Sequence, residues 1–240
     1  EGRFLPTGPG GGGIAGPGIM DRMESMMRQG LAEGAIAMGF GLAYTPAATQ
    51  TEFEAMLSIA AEVQVSAHIH TRGGLDGLRQ IIASAGDAGT PLHIVHANSS
   101  GGSTISEFLA IIQAARDAGQ DVTTEMYPYE ASYSDIGSAL FDGWETWEDE
   151  RFGRNMWVAT SERLTRESFA RYRQITGGMI TFSRTEEMTR TALRHPLTMI
   201  ASDGRILDGK GHPRSAGSYS KVLGQYVREE QLMDLMDALR

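Results

Sequence analysis

Residues 63–74, VQVSAHIHTRGG, decide the fold. Residues 63–70 read as a strand that ends on His70, and the pair Gly73-Gly74 then opens a helix running to about Ala85. The same order recurs outward from this unit. Towards the C-terminus, residues 91–97 form a second apolar strand, followed by Gly101-Gly102 and a helix near residues 104–118. Residues 121–127 and 197–202 read as two more strands. Towards the N-terminus lie a short apolar run at 35–40, a turn at Tyr44-Thr45-Pro46 and a helix near residues 51–62. Apolar strands alternating with amphipathic helices indicate an α/β fold with a parallel sheet and covering helices.

Two segments depart from this rhythm. Residues 130–196 exceed what one crossover requires and are read as an insertion with a small extra strand around 179–182, placed to shape a pocket. Residues 1–18 form a Gly/Pro-rich stretch without apolar periodicity, expected as a loop, with the barrel portion covering 19–240. The glycines Gly11, Gly13 and Gly16 match G-x-G-x-x-G, but a dinucleotide fingerprint needs a strand just before it, and none is supplied. Ile19, Met23, Met26, Met27 and Leu31 fall at helical spacing, so the Met-rich segment is expected as an amphipathic helix ending at Gly34, its methionines filling core.

The 240 residues carry a formal net charge of -9, which argues against nucleic acid or an anionic membrane as partner and favours a small polar molecule. With no cysteine, disulfides, Cys-ligated zinc and a thiol nucleophile are excluded within the chain. No apolar stretch reaches the roughly 18–20 residues that a membrane span needs. A soluble, cytoplasmic protein is favoured, although residue 1 is Glu and a signal peptide upstream would not be visible. Oligomeric state is not legible.

The chemistry-bearing residues share one position within their units. His70 and His96 end two strands, Glu125 and Tyr127 a third, and Asp203 the last. In parallel α/β barrels the C-terminal strand ends converge on one face, where active sites are built. Two imidazoles and a carboxylate suit a catalytic zinc with an open position. His68 points the same way as His70 but one layer deeper, as a hydrogen-bonded core histidine. His93 has opposite parity to His96 and is expected to face the helices or the adjacent strand. No G-x-S-x-G elbow or P-loop is present.

Several motifs then occur in a familiar order: Glu33-Gly34-Ala35 leading to Gly41-Leu42-Ala43-Tyr44, His70-Thr71-Arg72, His96, Tyr127-Pro128-Tyr129, Ser202-Asp203-Gly204, His212-Pro213-Arg214, and Leu223 to Arg228. Together they resemble the N-acyl-D-amino-acid deacylases (D-aminoacylases) of the amidohydrolase superfamily. The resemblance implies strands four to eight of a TIM-type (β/α)8 barrel. It also implies one or two zinc ions held by His70, His96 and Asp203, with Asp203 as general base and acid in hydrolysis of a linear amide. Substrate contacts are expected from Tyr44, Arg72, Asn98, Tyr127, His212 and Arg214.

Three features depart from that pattern. No H-x-H of a first strand precedes Ala32, Asn98 stands where the family tends to carry lysine, and the chain stops at Arg240. The expectation is therefore a partial chain, inactive alone. The alternatives are a module acting on a cyclic amide, or a non-catalytic one lacking the first half of the metal site.

Overall fold

A computed structural model describes residues 12–175 and 177–240. Helix α1 (Pro17–Ala32) leads into β1 (Ala37–Gly41), α2 (Gln50–Glu62), β2 (Ser66–His70), α3 (Gly74–Ala88), β3 (Leu92–Ile94), a short α4 (Ala97–Gly101), α5 (Ile105–Asp117) and β4 (Val122–Met126). An excursion follows, containing β5 (Ala131–Asp135), α6 (Asp149–Gly153), β6 (Asn155–Trp157), β7 (Glu162–Arg163), α7 (Arg166–Arg173) and β8 (Gly178–Phe182). The chain returns through α8 (Glu186–Leu193) to β9 (Thr198–Ile200), then a two-stranded hairpin, β10 (Ile206–Leu207) and β11 (Lys210–Gly211). Helix α9 (Arg214–Lys221), a π-helical segment (Val222–Glu229) and α10 (Leu235–Leu239) complete it.

Strands β1, β2, β3, β4 and β9 lie side by side in that order, and every neighbouring pair is parallel. Their periodicity of two explains the layering. Met38, Phe40, Ala67, Ile69, Leu92, Ile94, Val122 and Met126 are buried in one cluster with Phe53, Met56 and Leu57 of α2, Leu78 and Ile81 of α3, and Phe108, Leu109 and Ile112 of α5. Each large apolar side chain removed from water contributes roughly 1.5–3 kcal/mol. The Thr49 hydroxyl caps α2 by accepting the Glu52 N–H at 3.1 Å. A Cβ on Gly77 would collide with the Arg72 carbonyl, so only glycine lets α3 start this close to the end of β2.

The opposite face of the sheet carries half-buried Ser66, His68, His70, His93 and Thr123. Of the two facings expected for it, His93 takes the adjacent strands rather than the helices. It stands in register with His68 and Thr123 on this inner face, and its ring centroid lies 4.7 Å from that of His68. Parity counted back from His96 fails because β3 ends at Ile94 and His96 adopts φ +39°, which breaks the alternation. His68 accepts or donates a 2.9 Å bond with the Ser66 hydroxyl, in keeping with a hydrogen-bonded histidine below the strand ends.

The excursion holds more than the one expected strand. Its four strands form an antiparallel sheet in the order β5-β8-β6-β7. Ile136, Phe141, Trp147, Phe152, Trp157, Leu164, Phe169 and Met179 make a separate apolar cluster, and the Trp157 and Tyr172 rings stack 4.3 Å apart. These strands are two to five residues long, too short for periodicity to reveal.

At the N-terminus, residues 1–11, and with them Gly11 of the glycine motif, lie outside the described residues. Pro17 and Gly18, expected in the loop, already belong to α1, where proline suits the first turn. Met23, Met27 and Leu31 pack against the main core, whereas Ile19 and Met26 are exposed. Among the described residues, no helix is long and apolar enough to cross a membrane.

Candidate active site

The C-terminal ends of the parallel strands gather the expected side chains unequally. His70 is the last residue of β2, and the centroid of its ring stands 4.3 Å from that of His96, edge to face. Tyr44 meets the other side of this pair, its ring centroid 4.6 Å from His70. Burial drives both imidazoles down to about 3, and for His70 the proximity of His96 adds to the effect. Both rings are therefore neutral near pH 7, the form that offers a lone pair. Burial, and next the charge of Asp203, push the Tyr44 hydroxyl up to about 12, so it stays a proton donor.

His96 is positioned by its backbone. Its N–H donates to Glu125 Oε1 at 2.6 Å, and its Nδ1 lies 3.3 Å from the Ser100 hydroxyl. Glu125 projects from β4 and is buried, and its other oxygen, Oε2, has no partner. Burial pushes this carboxyl up to about 7. A proton on Oε2 spares the charge that burial penalises.

Asp203 follows β9 with φ +45°. Its Oδ2 accepts from Arg214 Nη1 at 2.8 Å. Burial raises its pKa, while Arg214 and then His70 pull it back. Arg214, only 2% exposed in its side chain, lies with its guanidinium carbon 4.3 Å from the Tyr127 ring centroid. The Arg214 N–H donates to His212 Nδ1 at 3.0 Å, and the His212 ring sits edge-on to Tyr129 at 5.3 Å. Burial, then Arg214, holds His212 down at about 3.

Two expected substrate contacts are engaged elsewhere. Arg72 donates to the carbonyls of Thr45 at 2.9 Å, Ala48 at 2.6 Å and Pro46 at 3.4 Å, tying down the loop that carries Tyr44. Asn98 is wholly buried and its Nδ2 donates to the Tyr127 carbonyl at 2.8 Å. Two further groups belong to the site. Glu125 is legible in the sequence as a chemistry-bearing strand-end residue, but without an assigned role. Arg184, two residues beyond β8, gave no signal, because only the folded excursion brings it to Tyr127.

Among the described residues no group of three or more His, Asp or Glu side chains converges as a metal site. The arrangement is a pair of neutral imidazoles beside a carboxylate that Arg214 engages.

No family model matches the chain. It is 30% identical over 233 residues to an N-acyl-D-glutamate deacylase of Alcaligenes xylosoxydans xylosoxydans, across 90% of this chain and 48% of that protein. A D-aminoacylase of the same organism is 28% identical over 234 residues, with the same coverage of both. Among solved structures, the N-acyl-D-glutamate deacylase of Bordetella bronchiseptica, complexed with zinc and a phosphonate mimic of the tetrahedral intermediate, superposes with a TM-score of 0.78 at 26% identity. That match covers 97% of this chain and 52% of that one. A D-aminoacylase that defines a novel subset of amidohydrolases gives 0.76 at 26% identity, over 94% and 51%. The chain spans about half the length of the curated relatives it matches. It is a homologue of N-acyl-D-glutamate deacylase and D-aminoacylase, and its parallel sheet and covering helices are part of the amidohydrolase TIM-barrel fold of those proteins.

Proposed function

We propose that the protein to which this chain belongs hydrolyses the linear amide of N-acyl-D-amino acids, and that His70, His96 and Asp203 are this chain's share of the active site. The observation that carries the reading is the contact of two buried, neutral imidazoles at adjacent strand ends, 4.3 Å between ring centroids. Relatives of the chain are deacylases of this kind, and one neighbouring structure contains zinc.

The donor chemistry fits one side of a zinc site. Zinc accepts neutral imidazole nitrogen, and burial keeps both rings in that form. The fit is partial, since the Asp203 carboxylate is bound to Arg214 and, among the described residues, no third ligand joins the pair. The remaining ligands are proposed to come from the part of the relatives that this chain does not match. Bound there, zinc would supply Lewis acidity to the scissile carbonyl.

The chain's own residues supply the rest. Arg214 fixes Asp203 through Oδ2, which leaves Oδ1 to take a proton from the attacking water and return it to the departing amine. Glu125 holds the His96 backbone through Oε1 and so sets the direction of that imidazole. Tyr44, its hydroxyl protonated and its ring against His70, is proposed to donate to the amide carbonyl.

In the full-length protein, Asp203→Asn is expected to lower kcat for N-acetyl-D-amino acids by about 100- to 10,000-fold while leaving the fold intact. An Asp203→Asn enzyme with wild-type kcat would sink the assignment. Hydrolysis of a cyclic amide with no action on N-acyl amino acids would favour the cyclic-amide alternative instead.

A further inference from the structure

Arg184 is a cation beside the site that the proposed mechanism does not use. It reaches the strand ends from the excursion, and its side-chain hydrogen bonds among the described residues go to neutral oxygens. Nη2 donates to the Tyr127 hydroxyl at 2.9 Å and the Tyr129 carbonyl at 3.2 Å, and Nη1 to the Ser99 hydroxyl at 3.4 Å. Its Nε–H is buried and has no acceptor. The neighbouring guanidiniums are ion-paired, Arg214 with Asp203 and Arg190 with Glu186 and Glu230, although the Arg214 Nε–H also lacks an acceptor. Arg184 makes no ion pair among the described residues. Its charge acts on the carboxyls of Asp203 and Glu130 without either coming within ion-pair distance, and a half-buried guanidinium with one donor unspent is stabilised when an anion joins it.

Its location is informative. The Tyr127 ring has Arg184 at 5.2 Å and Arg214 at 4.3 Å, and Arg214 in turn holds Asp203, so Arg184 is one aromatic ring away from the reacting groups. Asn98 stands where a lysine was expected from the resemblance, and its buried amide is committed to the Tyr127 carbonyl, so position 98 offers no charge. Ser99, the next residue, is a partner of Arg184. The excursion therefore returns a cation to the loop that lacks one.

We propose that Arg184 is a specificity-determining residue whose guanidinium, beside Ser99 and Tyr127, receives a carboxylate of the substrate. This rests on the reading of the protein as a deacylase of N-acyl amino acids. A guanidinium suits the role because its planar fork matches carboxylate geometry. The carboxylate is either the α-carboxylate that every such substrate carries or the side-chain carboxylate of an acidic one.

The test uses the full-length zinc-loaded protein, wild type, Arg184→Met and Arg184→Lys, with four N-acetyl compounds: D-glutamate, D-glutamine, D-leucine and D-leucinamide. If Arg184 takes a side-chain carboxylate, Arg184→Met lowers kcat/KM for the glutamate compound roughly 30- to 100-fold, chiefly through KM, and leaves glutamine and leucine unchanged. If it takes the α-carboxylate, all three acids fall together and leucinamide is unaffected. In either case Arg184→Lys restores part of the loss. An equal loss on acids and leucinamide, or no loss on any, overturns the proposal, since a residue that only ties the excursion to the sheet cannot discriminate charge. Calorimetric binding of the same compounds to metal-free wild type and Arg184→Met reads the carboxylate preference without turnover. A wild type that binds these acids in an Arg184-dependent way but hydrolyses none would retain the carboxylate site and sink the deacylase reading.

Discussion

His96 and Asp203, two of the three residues proposed to do the chemistry, hold left-handed backbone conformations, with φ +39° and +45°. Non-glycine side chains disfavour this region by about 1–3 kcal/mol each, so the surroundings must hold them there. For His96 the holding contact is Glu125, whose carboxyl accepts its N–H at 2.6 Å. For Asp203 it is Arg214, buried under Tyr127. Residue identity marked these positions in the sequence, but not their geometry. A strand-end histidine is visible as a histidine, whereas the twist that turns it towards His70 depends on a glutamate 29 positions away. His93 shows the same gap, since its facing could not be counted through a residue that leaves the strand. Burial, and secondarily His68, hold His93 at about 4, so it folds neutral. In the unfolded chain it takes up a proton near pH 6.5. The contribution of this residue to stability is therefore complete above pH 6.5 and is lost as pH falls towards 4. His93→Asn, which can keep the bond to the Thr123 hydroxyl, is expected to flatten the fall in denaturation midpoint over that range. An unchanged pH profile would show that His93 does not titrate there.

At the scale of elements, the parallel strands and their helices were legible because most strands are followed within a few residues by glycine, or by Pro128 after β4, and each helix buries one stripe. Residues 63–70 anticipated Ser66–His70, and residues 121–127 anticipated Val122–Met126. What was missed is short or aromatic. Strands β10 and β11 hold two residues each, and the Asp208-Gly209 turn between them, with φ +51° and +73°, is the hairpin signal that was available. The excursion was recognised by its length but not by its architecture, because its order comes from aromatic packing rather than from periodic runs. Phe169 is central there, wholly buried and within 6.3 Å, ring centroid to ring centroid, of Phe141, Trp144, Trp147 and Phe152. Phe169→Ala is expected to cost about 3–5 kcal/mol locally. Hydrogen exchange should then show loss of protection in β5 to β8, with β1 to β4 retained. Uniform loss across both sheets would mean that they unfold as one unit.

At the scale of the whole molecule, one face of the parallel sheet is sealed by helices and the other presents histidines and hydroxyls. Strands β1 and β9 end the sheet on either side, and Met199 of β9 is half exposed. The relatives are about twice as long as the stretch they share with this chain. We propose that the facing strands and the further ligands correspond to the part of the relatives that this chain does not match. Metal placement in the full-length protein therefore tests the central claim most directly. In crystals grown with zinc, diffraction at the zinc edge should show an anomalous peak at about 2.0–2.1 Å from one nitrogen of His70 and one of His96, and His96→Ala should abolish it. A zinc peak bound by other residues, or one that survives His96→Ala unchanged, would contradict the assignment of these two histidines as ligands.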